Sequence, residues 1–141
     1  MDTLLAQVVE RALVPLRATS EADASVKPAP GKWSKKEILG HLIDSAANNH
    51  QRFVRLQIQE TLSLPGYQQP DWVRVQHYQE RPWRELVELW AVYNHHLAHI
   101  MRHADPNALG HVWKTANGDV DLKFLMTDYL THLKHHLEQI L

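Results

Sequence analysis
The sequence predicts an all-α fold, a four-helix bundle with long crossover connections. Three observations carry that expectation. Four stretches repeat apolar residues with the 3.6-residue period of an amphipathic helix. The connections between them are long and punctuated by Pro and Gly, which fits crossovers better than tight up-down turns. A chain of 141 residues suits a single domain, residues 1–141, built on one hydrophobic core.

Thr3–Leu16 is the first helix, with Asp2 or Thr3 placed to cap it and Leu4, Leu5, Val8, Val9, Ala12, Leu13 and Leu16 forming its stripe. Arg17–Lys32 loses that period, gains Pro28, Pro30 and Gly31, and reads as a loop with room for a short helical turn. The next boundary is the best marked. Ser34-Lys35-Lys36-Glu37 is a capping box, and Trp33 and Ile38 stand where a hydrophobic staple would close over it. The helix it opens runs roughly Lys35–Gln59, its apolar stripe passing through Ile38, Leu42, Ala46, Phe53 and Leu56, with Leu39 and Ile43 at the edge. At about 100° per residue, His41, Ser45, Asn48 and Arg52 form a polar strip along one flank, with Asn49 between the two. A polar seam beside an apolar stripe is what a pocket-lining helix shows.

From Glu60 to Arg81 the pattern breaks: Pro65-Gly66 marks a turn, Pro70-Asp71-Trp72 suits a short helical turn, and Trp72 and Tyr78 are placed to anchor the excursion. Pro82 suits the first position of a third helix reaching about His103, with Leu86, Leu89, Trp90, Tyr93, Leu97, Ile100 and Met101 as its stripe. Ala104–Val120 is a connection in which His111–Ala116 and Asp119–Asp121 can pair as a small hairpin about Asn117-Gly118. Asp121 caps a last helix that runs to the end of the sequence. Trp33, Trp83, Trp90 and Trp113 are read as core or staple residues.

Composition removes several function classes. A formal net charge of −1 offers no footprint for nucleic acid or an anionic membrane, and no apolar run approaches spanning length. The absence of cysteine leaves no disulfide framework, thiolate ligand or protein thiol nucleophile. The expectation is a soluble cytoplasmic protein acting on a small molecule. Histidine is the outlier, with 11 in the chain.

Rotation about the helix axis sorts these histidines. In the last helix the stripe is Leu122, Leu125, Met126, Tyr129, Leu133, Leu137 and Ile140; His136 falls within it and His132 at its edge, about 90° from the centre. His135 lies about 150° away, on the solvent side. His132 and His136, four apart on one face, have the spacing at which two imidazoles grip one metal ion, although such a pair also occurs simply bordering a groove. His95 and His99 share the spacing but point away from their helix's stripe, and a solvated face explains them. His41, on the polar strip, is placed to be a third ligand. Three neutral imidazoles suit zinc, nickel or iron and leave positions open for water or substrate, as in a catalytic site. Ser45 and Asp44 are the candidates to orient a ligand's second ring nitrogen, with Ser45 better placed by rotation. Ser45, Asn49 and Arg52 are the candidate catalytic or substrate-contacting residues; an ordinary ion pair would equally explain Arg52. No general base stands out in sequence beside the ligands.

The run Lys32-Trp33-Ser34-x-Lys36-Glu37-Ile38-x-x-His41-Leu42-x-Asp44-Ser45, followed by Asn49 and Arg52-Phe53, resembles the YfiT-like branch of the DinB superfamily. His132-x-x-His135-His136-x-x-Gln139-Ile140 is similar to that family's second signature, and the likeness spans essentially the whole chain. The resemblance implies a bundle that is often dimeric. It also implies a divalent metal, commonly nickel or zinc, held by three histidines, which here are His41, His132 and His136. Relatives of this kind have been regarded as metal-dependent hydrolases, or as S-transferases and isomerases using low-molecular-weight thiols such as bacillithiol, mycothiol or glutathione. A non-catalytic metal-binding or structural bundle is the competing class.

Overall fold
The computed structural model describes all 141 residues. The main helices are α1 (Asp2–Ala18), α3 (Lys35–Ile58), α5 (Trp83–Arg102) and α6 (Leu122–Ile140), with short helices α2 (Glu21–Ala24) and α4 (Gln69–Gln76) in the connections. α1 packs on α5, α5 on α3, and α3 on α6, which closes back against α1. This is the four-helix bundle the periodicity predicts. A small sheet caps one side: β2 (Val112–Thr115) and β3 (Gly118–Asp121) form the hairpin, and β1 (Thr61–Leu62) pairs parallel with β2. No helix is long and apolar enough to cross a membrane.

The capping box is present in full. Ser34 Oγ accepts from the Glu37 amide at 3.2 Å while Glu37 Oε1 accepts from the Ser34 amide at 3.1 Å. Asp121 likewise caps α6, accepting from the Phe124 amide at 2.7 Å. The core is filled by the expected stripes, with Leu42, Ala46, Phe53, Leu56, Trp90, Leu97 and Leu133 all buried. Trp83 joins α5 to α1 by donating its indole N–H to the Leu16 carbonyl at 2.8 Å.

Several local expectations are corrected. α1 begins with Met1 at its cap and no side-chain capping bond; Asp2 lies inside the helix and pairs with Arg102. Pro82 is the cap residue of α5, not its first helical residue. On α5 Leu89 is exposed, whereas Val87, Ala91, Asn94 and Ala98 are buried. A stripe drawn through the largest apolar side chains alone misses these buried positions. In the hairpin Thr115 pairs with Gly118, so Ala116 and Asn117 make the turn and Gly118 starts β3 with φ +118°. Ile38 is half-buried, at the edge of the core.

Of the two proposed anchors, Tyr78 is buried and Trp72 is exposed, stacked edge-on against Tyr67. Tyr78 lies flat against Gly40, where any Cβ would overlap the ring. Its hydroxyl donates to Asp44 Oδ1 at 2.6 Å, and Gln76 donates to the same oxygen at 2.7 Å. Alanine normally improves on glycine inside a helix by about 1 kcal/mol. At position 40 the sign should invert: Gly40→Ala is expected to lower stability by about 1–3 kcal/mol in urea denaturation through overpacking. The penalty should largely vanish in a Tyr78→Ala background.

Candidate metal centre
α3 and α6 run antiparallel, since His41 meets His132 and His136 while Phe53, further along α3, meets Tyr129, earlier on α6. The capping box sets the phase of α3 that turns His41 toward α6, and the i, i+4 spacing on α6 presents two imidazoles to it. Ring centroids are 5.3 Å apart for His41–His132, 4.7 Å for His41–His136 and 4.4 Å for His132–His136. One ring nitrogen from each falls within 4.8 Å of the others.

His41 is 1% exposed, and neither of its ring nitrogens has a hydrogen-bond partner. Buried imidazole nitrogens are normally satisfied by protein or water, so a fully unpartnered ring is costly unless something else binds it. Burial is the main cause that lowers its pKa to about 4, with the nearby His136 and His132 adding to it. His132 shifts down as well, chiefly through burial and then His136, against the opposing pull of Asp128. His41 is therefore neutral at pH 7, the form in which an imidazole ligates metal. His136 Nδ1 lies 3.0 Å from Gln139 Oε1, an acceptor. A proton on Nδ1 suits that contact and would leave the Nε2 lone pair free for a metal. Three imidazoles from facing helices, one of them unsatisfied by the protein, fit a divalent transition metal.

The orienting contact thus comes from Gln139, not from Ser45 or Asp44. Asp44 is occupied by Tyr78 and Gln76, and Ser45 neighbours Asn49, whose amide donates to the Ser45 carbonyl at 2.8 Å. Gln139 stands three residues after His136, a helical spacing that was readable in the sequence. His135 is exposed, as its rotation predicts. His95 bonds Glu10 at 2.8 Å, and His96 and His99 face solvent.

A cavity of about 340 Å³ opens beside His132, lined also by Ser45, Asn49, Arg52, Tyr67, Trp113, Phe124 and Asp128. All three candidate substrate-contacting residues therefore lie on one wall. Arg52 makes no surface ion pair: it is buried, and its guanidinium carbon sits 3.9 Å from the Trp113 ring centroid. Asp128 supplies the carboxylate that the sequence reading did not find. It lies one turn before His132 on α6 and shares its cavity, an i, i+4 relation that could have pointed to it.

Histidines clustered between two facing helices and opening onto a small cavity define a helical-bundle protein built around a candidate metal centre. The chain belongs to the DinB superfamily, whose family model matches residues 4–140. Its backbone is similar to that of YfiT from Bacillus subtilis, with a TM-score of 0.82 over 99% of this chain and 83% of that one. The two share 17% sequence identity, so the likeness is one of fold. That protein is described as "a probable metal-dependent hydrolase with an unusual four-helix bundle topology". No curated protein matches the sequence.

The buried histidine sets a pH dependence in metal-free protein. The folded pKa of His41 lies below its ordinary value of 6.5, at about 4, so the unfolded chain takes up the proton first. Stability is then lost as pH falls from about 6.5 toward about 4 and levels off below that, by about 3 kcal/mol from this residue. Half-buried His132 and His50 act in the same direction, and Asp44, whose pKa is raised, opposes them. Urea midpoints across that range should fall less steeply for His41→Gln than for the native chain, and the difference isolates His41.

Proposed function
We propose that the protein is a metal-dependent enzyme that directs a small nucleophile, water or a low-molecular-weight thiol, at a small-molecule substrate in the cavity beside His132. The observation that carries this reading is the buried His41 ring, unpartnered at both nitrogens and turned toward two further imidazoles. His41, His132 and His136 would hold the ion, with nickel and zinc the best candidates for an all-imidazole set. When bound, such an ion supplies Lewis acidity, lowering the pKa of a water or thiol and polarising the bond under attack.

The remaining roles belong to the chain. Gln139 holds His136 in the ligating tautomer, and Trp33, its ring 5.3 Å from that of His41, shields the buried side. Asp128 faces the cavity one turn from His132 and is the carboxylate placed to accept the nucleophile's proton. Because the chain has no cysteine, any thiol must arrive as a cosubstrate.

Untagged protein loaded with nickel or zinc should hold one ion per chain by elemental analysis. His41→Ala, His132→Ala and His136→Ala are each expected to abolish that stoichiometry, while His95→Ala and His135→Ala leave it unchanged. A chain that takes up no stoichiometric metal would sink the proposal. For the reaction, small esters, amides and electrophiles should be assayed with and without each thiol, in loaded and stripped protein. We expect metal-dependent turnover that falls about 10²–10⁴-fold in Asp128→Asn, the usual worth of a positioned proton acceptor. Turnover in water alone identifies a hydrolase and strict thiol dependence a transferase; no turnover in loaded protein favours a non-catalytic metal-binding bundle.

A further inference from the structure
We propose that the cavity beside His132 takes its substrate by a carboxylate, gripped by Arg52 at the end away from the histidines, so that the substrate is a small organic acid with an apolar body. This rests on the reading of the histidine cluster as the reaction centre and names the kind of molecule that centre receives.

Arg52 is 8% exposed, yet it pairs with no carboxylate. Of the exposed arginines, Arg17, Arg74, Arg81 and Arg102 pair with one, and Arg11, Arg55 and Arg84, which do not, stand in solvent; Arg52 is the buried arginine. Within the protein, Arg52 makes only a long bond from Nη1 to Asn49 Oδ1 at 3.4 Å, and Nε is buried without a partner. A guanidinium stays charged in any protein environment, and a buried charge without a partner is unfavourable unless something else completes it. The position is built rather than accidental. Trp113 covers one face of the guanidinium at 3.9 Å, and its indole N–H donates to the Leu64 carbonyl at 2.7 Å, which fixes the ring. With one face taken by Trp113, the edge of the fork remains, and a planar carboxylate matches that edge.

The rest of the lining narrows the class. Val120, Phe124 and Leu125 make an apolar wall next to the arginine. Arg52 is the one permanent cation among the lining side chains, so at its end the lining matches a single negative charge. Arg52 lies eleven residues beyond His41 on α3, about 16 Å along the helix at 1.5 Å per residue, so a carboxylate held there sits well away from the His41 end.

Calorimetric titration of the full chain with 4-phenylbutyrate and with the neutral 4-phenylbutyramide tests this, in metal-loaded and metal-stripped protein. The acid should bind at least tenfold more tightly than the amide in both forms. Arg52→Met should erase the difference, while Arg52→Lys, which keeps the charge but not the fork, should retain part of it. Neither substitution should alter metal stoichiometry. Should Arg52→Met not fold, the native protein still decides: the Arg52 guanidinium NMR resonances should shift with the acid and not with the amide. Equal binding of acid and amide, binding of neither, or a preference that survives in Arg52→Met overturns the proposal. So does a preference seen only in loaded protein and lost in His132→Ala, because the ion would then be taking the carboxylate. If the chain binds no metal while the Arg52-dependent preference stands, the metal-centre reading falls and the carboxylate site does not.

Discussion
The rotational phase of α3 is the constraint on which the rest of the site depends. A slip of one residue turns a helix by about 100°, enough to swing His41 away from α6 and Arg52 away from Trp113. The phase is fixed at the start of the helix, where Ser34 and Glu37 satisfy each other's amides. That box is itself held: Lys27 pairs with Glu37 at 2.8 Å, and Ser34 Oγ donates to Gln79 Oε1 at 2.5 Å. Gln79 in turn donates to the Ser25 carbonyl at 2.6 Å, tying the first two connections to the same point.

Downstream of that point α3 buries an unusual run of polar side chains, His41, Asp44, Ser45, Asn49 and Arg52. The middle of the run is largely satisfied by the protein, Asp44 through Tyr78 and Gln76, Asn49 through the Ser45 carbonyl. His41, the second carboxylate oxygen of Asp44 and the Nε of Arg52 have no partner. Of these, Arg52 lines the cavity, and His41 faces His132, which lines it too.

What the sequence makes legible here is what helix geometry makes local. Periodicity and caps locate α3 and α6, and rotation alone separates His132 and His136 from His135. His41 follows once the capping box sets the phase. The contacts that escaped are between residues distant in sequence: Gly40 against Tyr78, Thr61–Leu62 beside Val112–Trp113, and Trp113 over Arg52. No periodic signal marks them, because each depends on how a long connection folds back. Leu89 shows a different limit: it alone of the expected α5 stripe is exposed, while Ala91, Asn94 and Ala98, which the stripe left out, are buried.

The parallel pairing of β1 with β2 places the two walls of the cavity under different architectural control. The histidines belong to the helices and are bound into the core packing, whereas Trp113 and Val120 stand on a hairpin stitched to the bundle through a two-residue strand. Insertions or replacements in that hairpin disturb few core contacts. On this plan one peripheral ribbon can therefore be remodelled to reshape the cavity while the histidine cluster keeps its place.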